Sequence, residues 1–286
     1  MALEGDGMES VMKRKKKKLF IHIFLRTTIL LLLLITAGCL TYYTVMLYWQ
    51  PKDKNSRNAF QEDTKPVKVT PIGSDNISKN LIFSYDKENN EIDAVILEIM
   101  DCKNDKLFYL TLPVKTQLTM NPALYQKMAL GNPEMPQMLK LSALTEYMDF
   151  KKSALDSVKI LAGVLDTNIN YYTVIPSDTF SNMFLGKDVK QPDNSGVVTK
   201  YAFKWAYQKK LNTLNSEDKV KEYIKDNYSD VKSNLPIKDK LSLSKYYNKI
   251  KTKDVSFELL EGKNMNNGYV IDDSVVQQQV ADITKK

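Results

Sequence analysis

Residues 81–113, LIFSYDKENNEIDAVILEIMDCKNDKLFYLTLP, decide the fold of this chain. Three apolar runs stand in this stretch, at 81–85, 92–100 and 106–112, and polar residues separate them. Short apolar runs bounded by polar turns are typical of β-strands, so the stretch predicts three strands. The polar residues 101–105 have the length of a hairpin turn between the second and third strands.

The sequence beyond these strands alternates between helical and extended patterns. Residues 153–165 place apolar side chains at helical spacing, and 169–175 return to strand character. A late strand at 255–260 and a closing helix at 274–283 follow. This alternation predicts an α/β fold, a three-layer α/β/α domain with a mixed central sheet.

We expect that domain to cover residues 79–286. Within it, residues 187–250 are rich in lysine and asparagine and mostly helical in pattern. We interpret 187–250 as a divergent helical insert.

The N-terminal part predicts a membrane anchor. A cationic block at 13–18 precedes an apolar run at 19–49, in which 27–48 carry no charged residue. These 22 residues, at ~1.5 Å each, are long enough to cross a hydrocarbon core of ~30 Å. Basic residues before a span predict a cytoplasmic tail at 1–18 and an extracytoplasmic C-terminal domain. The expected location is therefore the cell membrane, with one span.

Thr36-Ala37-Gly38-Cys39 resembles a lipoprotein cleavage box, so cleavage before Cys39 is the alternative to an uncleaved anchor. The residues that follow Cys39 stay apolar as far as Trp49, which favours the uncleaved anchor. Residues 50–78 are polar and contain three prolines and a glycine, and we interpret them as a stalk.

Charge and residue counts exclude several function classes. The net charge is +7, but residues 27–286 hold 34 basic and 31 acidic side chains, so no basic nucleic-acid-binding face is predicted. His22 is the one histidine, and it lies in or beside the predicted anchor. An exported Ser-His-Asp site and a zinc site built from His and Cys are therefore excluded. Cys102 stands alone outside the anchor, so we expect no internal disulfide.

Several stretches, in order, resemble the LytR–CpsA–Psr (LCP) family of bacterial envelope proteins. The resemblance covers roughly 79–286, although 187–250 add almost nothing to it. The stretches that carry it are Ser84-Tyr85-Asp86, Glu91-Ile92-Asp93-Ala94, Leu112-Pro113-Val114-Lys115-Thr116, Leu161-Ala162-Gly163-Val164, Ile169-Asn170-Tyr171-Tyr172, Phe257-Glu258-Leu259-Leu260-Glu261-Gly262 and Tyr269-Val270-Ile271-Asp272.

The resemblance implies transfer of a phosphorylated glycopolymer from a polyprenyl carrier to the cell wall, with Mg²⁺ and a cluster of arginines that hold the pyrophosphate. This chain has no arginine after Arg57. The position of the family's strand-two arginine is Glu91, and that of its strand-three arginine is Val114. Lysine neutralises a phosphate but lacks the planar two-pronged donor of arginine.

The residues that match the family's site positions give the candidate site. They are Asp86, Asp93 and Lys115, with Lys204 from the segment where a later arginine motif would fall. All four are predicted to bind the lipid phosphate, and Asp86 and Asp93 to hold Mg²⁺. An aspartate within an apolar strand is costly unless it is paired or coordinates a ligand, which singles out Asp93. The alternative is that Asp93 merely starts its strand at the surface.

Three functions follow. The leading hypothesis is an LCP-like protein that binds a polyprenyl-linked envelope precursor or a wall-assembly partner, with impaired transferase activity. The second keeps an active phosphotransferase that attaches glycopolymers to peptidoglycan. The third is a structural or scaffolding protein whose interaction surface is the insert 187–250.

Overall fold

The structure is a computed structural model that describes residues 69–185 and 213–285. The predicted tail and anchor, most of the predicted stalk, and Lys204 lie outside these residues. Within the two described stretches, no helix has the length and apolarity needed to cross a membrane.

The opening stretch forms an antiparallel meander of three strands, as predicted. They are β1 (Ile77–Asp86), β2 (Glu91–Asp101) and β3 (Lys106–Leu112). Leu97 in β2 pairs with Leu81 in β1 and with Leu110 in β3. All three leucines are fully buried. The strands are continuous apolar runs because both faces of the sheet are covered.

Two further groups of elements complete the described fold. The first comprises β4 (Gln117–Thr119), α1 (Pro122–Gly131), β5 (Met138–Lys140), α2 (Leu144–Tyr147), α3 (Leu155–Val164), β6 (Tyr171–Pro176) and α4 (Ser177–Phe180). The second comprises α5 (Glu217–Asn227), β7 (Lys232–Ser233), α6 (Ile237–Ser242), α7 (Ser244–Tyr247), β8 (Val255–Leu259), β9 (Lys263–Met265), β10 (Gly268–Val270) and α8 (Asp273–Lys285).

The central sheet has six strands in the order β7-β6-β1-β2-β3-β8. The pairs β6·β1 and β3·β8 are parallel, and the other three pairs are antiparallel. The prediction of a mixed central sheet is therefore confirmed. Because β1, β3, β6 and β8 run in one direction, all four end at the same edge, where β2 begins. We call this the carboxyl edge.

Helices cover both faces of the sheet. On one face, buried residues of α3 and α8, among them Leu161 and Val280, pack against the sheet with the β4–β5 hairpin. On the other face, Phe180 of α4 and Leu243 beside α7 belong to a second buried cluster. The second face matters for function, because residues 213–250 pack on it and contribute β7 to the sheet.

Candidate functional site

Asp86 ends β1 at the carboxyl edge and holds the turn that follows it. Its Oδ1 accepts hydrogen bonds from the backbone N–H groups of Glu88 (2.8 Å) and Asn89 (3.1 Å), and its Oδ2 accepts one from the Asn89 side chain (2.7 Å). These bonds, led by the one from the Asn89 side chain, lower the pKa of Asp86. The turn closes at Asn90, whose φ is 56°.

The turn from β2 to β3 repeats this arrangement at the opposite edge of the sheet. Asp101 accepts from the N–H groups of Lys103 and Asn104 (both 2.9 Å) and from the Asn104 side chain (2.6 Å). That turn closes at Asp105, whose φ is 53°. A type I turn followed by a left-handed residue is a common hairpin connection, and a leading aspartate stabilises it. The same contacts at both edges give Asp86 a structural role.

Asp93 reaches its position through a β-bulge. The pairing of β1 with β2 passes from Ser84↔Ala94 to Tyr85↔Ile92, which leaves Asp93 as the extra residue. Ile92 packs in the cluster on one face and Ala94 in the cluster on the other, although strict alternation would place them on the same face. Bulges commonly re-aim a side chain in this way.

Two serine hydroxyls meet Asp93 at this edge. Ser177, the first residue of α4, donates a hydrogen bond to Asp93 Oδ2. The hydroxyl of Ser84 lies 3.5 Å from that of Ser177. Burial raises the pKa of Asp93; the bond from Ser177 opposes that rise, and the negative charges of Asp86 and Glu91 add to it. Asp93 is half-buried and hydrogen-bonded, so it does more than start a strand at the surface.

Lys115 lies in a different surface pocket. It is exposed after β3, and its carbonyl accepts a hydrogen bond from the N–H of Tyr269 (2.9 Å). Its pocket is shared with Lys140 and with the β9–β10 hairpin residues 264–268. The structure thus brings Asp86 and Asp93 to one edge with the two serines, and it places Lys115 beside Lys140.

Among the residues that the structure describes, no group of three or more His, Cys, Asp or Glu side chains is placed to hold a metal ion. Mg²⁺ is usually held by one or two protein carboxylates together with phosphate oxygens and water. Both oxygens of Asp86 already accept hydrogen bonds from its own turn. Asp93 is therefore the carboxylate that better fits a share in such a site.

An apolar cavity of about 90 Å³ lies between the sheet and α5, on the same face as Asp93. Ile82 of β1 and Ile175 of β6 line the side formed by the sheet. The helical side includes Val220 and Ile224 of α5. Ile175 is paired with Ser84 in the sheet, so the cavity and the serine–aspartate cluster are neighbours along β1 and β6.

A buried polar row crosses the sheet on this face, and three of its four members line the cavity. Tyr171 of β6, Asn80 of β1, Glu98 of β2 and Tyr109 of β3 stand opposite one another in successive strands. Glu98 is 5% exposed, and its carboxylate accepts hydrogen bonds from Asn80 Nδ2 (3.2 Å) and Tyr109 Oη (2.8 Å). A buried charge requires such partners.

Lys240 of α6 supplies the opposite charge. It is 7% exposed, and its Nζ lies 3.6 Å from Glu98 Oε1. It also donates to the hydroxyls of Tyr171 (3.1 Å) and Tyr247 (2.9 Å), and Tyr247 in turn donates to Glu98 (2.8 Å). Burial disfavours the charged lysine, but Tyr171 and Glu98 outweigh that effect and raise the pKa of Lys240. Burial also raises the pKa of Tyr171 to about 12.

The family resemblance predicted residues at the carboxyl edge of the sheet, and it did not predict the buried polar row. Glu98 carried a signal, because it interrupts an apolar run as Asp93 does. Lys240 carried none, since it is one of many lysines in 187–250 and only the folded chain brings it to Glu98. Ser177 was missed because its partner Asp93 is 84 residues away in sequence.

Comparison with known proteins identifies the fold. The sequence matches no protein-family model and no curated protein sequence. The structure is similar to that of B. subtilis TagV, with a TM-score of 0.51 and 14% identity over 73% of this chain and 96% of TagV. Protein gbs0355 from Streptococcus agalactiae gives a TM-score of 0.52 and 14% identity over 73% of this chain and 88% of its own.

A third neighbour, TagT bound to LI-WTA, has a TM-score of 0.47 and 16% identity over 73% of this chain and 89% of its own. TagV and its relatives are LCP-family structures, so the resemblance inferred from the sequence is confirmed at the level of the fold. Residues 69–185 and 213–285 of this chain have the fold of the LytR–CpsA–Psr proteins.

Proposed function

We propose that this chain is a membrane-anchored envelope protein that binds a polyprenyl-(pyro)phosphate-linked cell-wall precursor and has an impaired transferase activity. In this proposal 19–49 anchor the chain in the cell membrane and the domain lies outside the cell. The LCP fold supports the class of ligand. The observation that carries the proposal is the position of half-buried Asp93 at the carboxyl edge, where Ser84 pairs with Ile175, a residue that lines an apolar cavity.

The arrangement suits an amphiphile with a phosphate head. The head would lie at the carboxyl edge, where the hydroxyls of Ser84 and Ser177 would exchange their present hydrogen bonds to Ser177 and Asp93 for bonds to phosphate oxygens. The lipid chain would pass along the sheet between Ile82 and Ile175. Lining an apolar cavity with a few polar groups at one end is the usual way in which a protein orients such a ligand.

A divalent cation fits this edge better than a bare phosphate does. Asp86, Glu91 and Asp93 are all acidic and close enough for the first two to raise the pKa of the third. A pyrophosphate placed there would be repelled. Mg²⁺ held by Asp93 together with phosphate oxygens would neutralise that repulsion when bound, whereas Asp86 could join only by giving up a hydrogen bond of its turn.

The same charges support an impaired transferase. Phosphoryl transfer depends mainly on positive charge positioned around the reacting phosphate. Glu91 stands where the family pattern has an arginine, and it raises the pKa of Asp93 as a negative charge does. Lys115 lies with Lys140 and the β9–β10 hairpin. We therefore propose binding without efficient turnover.

The test is native mass spectrometry of the full chain, released from detergent and offered undecaprenyl pyrophosphate with and without Mg²⁺. We expect stoichiometric retention that depends on Mg²⁺ and is lost in Asp93→Asn. Asp101→Asn is the matched control, because Asp101 lies in the same strand as Asp93 but at the opposite edge of the sheet. Retention in Asp93→Asn equal to that of the unchanged chain would contradict the proposed site.

A second measurement separates binding from catalysis. Release of undecaprenyl phosphate from a glycopolymer-linked precursor is followed with peptidoglycan as acceptor. We expect no turnover above the background rate. Mg²⁺-dependent turnover abolished by Asp93→Asn would instead show an active phosphotransferase. If no lipid is retained under any condition, the lipid-binding function is wrong and the scaffolding function remains.

A further inference from the structure

We propose that the open groove between the β4–β5 hairpin, the β9–β10 hairpin and the start of α8 is a docking surface for a cationic, apolar peptide segment of a partner protein. The groove has a volume of about 1060 Å³. None of the described residues that line it belongs to the serine–aspartate cluster at Asp93. This inference therefore goes beyond the lipid-binding function and does not rest on it.

The groove collects exposed apolar side chains. Among the residues that the structure describes, seven large apolar side chains are exposed, and four of the seven line this groove. They are Met138 (58% exposed), Met265 (61%), Val270 (39%) and Val275 (42%). Single exposed apolar side chains are ordinary, whereas an apolar patch with a polar rim marks an interaction site. Methionine is flexible and polarisable, which suits it to contact with apolar partner side chains.

Hydrogen bonds hold the walls of the groove in place. Tyr269 Oη donates to the carbonyl of Leu260 (2.6 Å). Gln279 of α8 accepts from the N–H of Glu261 (2.9 Å) and donates to the carbonyl of Leu259 (2.9 Å). These bonds join the β9–β10 hairpin and α8 to the segment that follows β8. A groove that is already formed does not have to be ordered when a partner binds, which favours binding.

Carboxylates give the groove a negative rim. Its lining includes Glu261, Asp272 and Asp273, and Lys263 is the one basic side chain in the described lining. Asp272 already accepts hydrogen bonds from the N–H (3.0 Å) and the hydroxyl (2.6 Å) of Ser274. Glu261 and Asp273 form no ion pair with any described residue. Burial and the charge of Asp272 raise the pKa of Asp273, so a cation beside Asp273 would be favourable.

The charge and the apolar floor together select the occupant. A second copy related by a two-fold axis through the groove would set the same carboxylates against each other. An anionic lipid surface would be repelled by them as well. A sugar would place its hydroxyls against methionine and valine side chains, which offer no strong hydrogen-bond partner. A peptide that carries lysine or arginine beside long apolar side chains complements both the rim and the floor.

Labelled peptides test this chemistry on the unchanged protein. The full chain is placed in nanodiscs of zwitterionic lipid, with empty nanodiscs as the blank, and binding is read by fluorescence anisotropy. Three peptides of equal length alternate lysine with leucine, glutamate with leucine, and lysine with serine. We expect the lysine–leucine peptide to bind about tenfold more tightly than either of the others, because only it satisfies both the charge and the apolar floor. Its affinity should fall as salt is raised.

Two substitutions with matched controls locate the binding site. Met265→Ser should weaken binding of the lysine–leucine peptide by about threefold or more, whereas Leu130→Ser should not, since Leu130 is 67% exposed on α1 outside the groove. Asp273→Asn should weaken it by about twofold to fivefold, whereas Asp218→Asn should leave it unchanged. Asp218 lies in the first turn of α5 as Asp273 does in that of α8. All four residues are exposed, so we expect each variant to keep its fold.

The outcomes decide between occupants. The inference is overturned if the lysine–leucine peptide does not bind at about 1 mM, or binds no more tightly than either other peptide. It is overturned equally if Met265→Ser and Leu130→Ser weaken binding alike. Sedimentation velocity of the full chain in detergent tests the remaining case, since a dimer that Met265→Ser dissociates would make a second copy the occupant. Lipid retention at Asp93 is measured separately, so failure of either proposal leaves the other standing.

Discussion

Replacing Lys240 with methionine should lower the stability of this fold, and the structure allows the size of the loss to be worked out. Methionine keeps most of the apolar length of lysine and removes the ammonium group that lies 3.6 Å from Glu98. It also removes the donors to the hydroxyls of Tyr171 and Tyr247. Because Lys240 and Glu98 are both buried, the loss is not screened by water.

The expected loss of stability depends on the groups that still contact Glu98 in the variant. Removing one partner of a buried ion pair typically lowers the free energy of unfolding by about 3–5 kcal/mol, because the other charge stays buried and unpaired. Here Glu98 keeps three neutral donors, Asn80, Tyr109 and Tyr247. Each donor still satisfies an acceptor position of the carboxylate, so we expect a loss near the lower limit, about 3 kcal/mol.

The assay is urea-induced unfolding of the full chain in detergent, followed by far-ultraviolet circular dichroism. Lys245→Met is the control, and we expect it to lose less than about 1 kcal/mol because that lysine is exposed and contacts the face of the Tyr246 ring. Adding Glu98→Gln to Lys240→Met should restore part of the loss, since glutamine removes the unpaired charge and still accepts hydrogen bonds.

The reasoning would be refuted if Lys240→Met lost no more stability than Lys245→Met. It would be refuted equally if Glu98→Gln lowered the stability of Lys240→Met further. Either result would mean that the buried pair contributes to packing and not through its charges.

Three further predictions concern single side chains. The pKa of Asp93 is raised in the folded chain. The stability that comes from this shift is therefore fully present below the ordinary aspartate pKa of ~3.9, and it is lost as pH rises through the pKa of Asp93 in the folded chain. Asp93→Asn should therefore gain stability relative to the unchanged chain between acid and neutral pH, measured as urea midpoints across pH. Asp86→Ala and Asp101→Ala should lower the urea midpoint to a similar extent, because both aspartates hold equivalent turns; a larger effect of Asp86→Ala would indicate a role beyond its turn. Burial raises the pKa of Cys102 to about 11, so its alkylation at pH 8, mapped by peptide mass spectrometry apart from Cys39, should be roughly a hundredfold slower than that of a thiol with a pKa of 9.0.

The sequence predicted the elements whose patterns are local and strong. The meander of β1 to β3, the helix α3 and the closing helix α8 all follow from apolar runs and helical spacing. The small hairpins β4–β5 and β9–β10 were not predicted. Their strands are three residues long, which is too short for any alternation of polar and apolar residues to stand out.

The sequence predicted the candidate site only where a family pattern marked it, or where one residue would be energetically unfavourable without a partner. Asp93 was singled out because it interrupts an apolar strand, and the structure gives it a hydrogen-bonded position at the carboxyl edge. Its orientation depends on a bulge, and a single extra residue leaves no mark in composition or periodicity. For Asp86 the spacing Asp-x-x-Asn, repeated at Asp101, was the available signal that it holds a turn.

In the proposed function, the carboxyl edge that faces the phosphate and the cavity that holds the lipid chain are separate parts of the sheet. A phosphate site needs positive charge at the edge, whereas a cavity for a lipid chain needs apolar walls along the sheet. The absence of arginine after Arg57 affects the first requirement and not the second. Glu98 and Lys240 belong to the second, because they lie within the sheet face, four residues along β1 from Ser84. Binding and turnover can therefore separate in this fold, and measuring retention and turnover on one preparation decides whether they have.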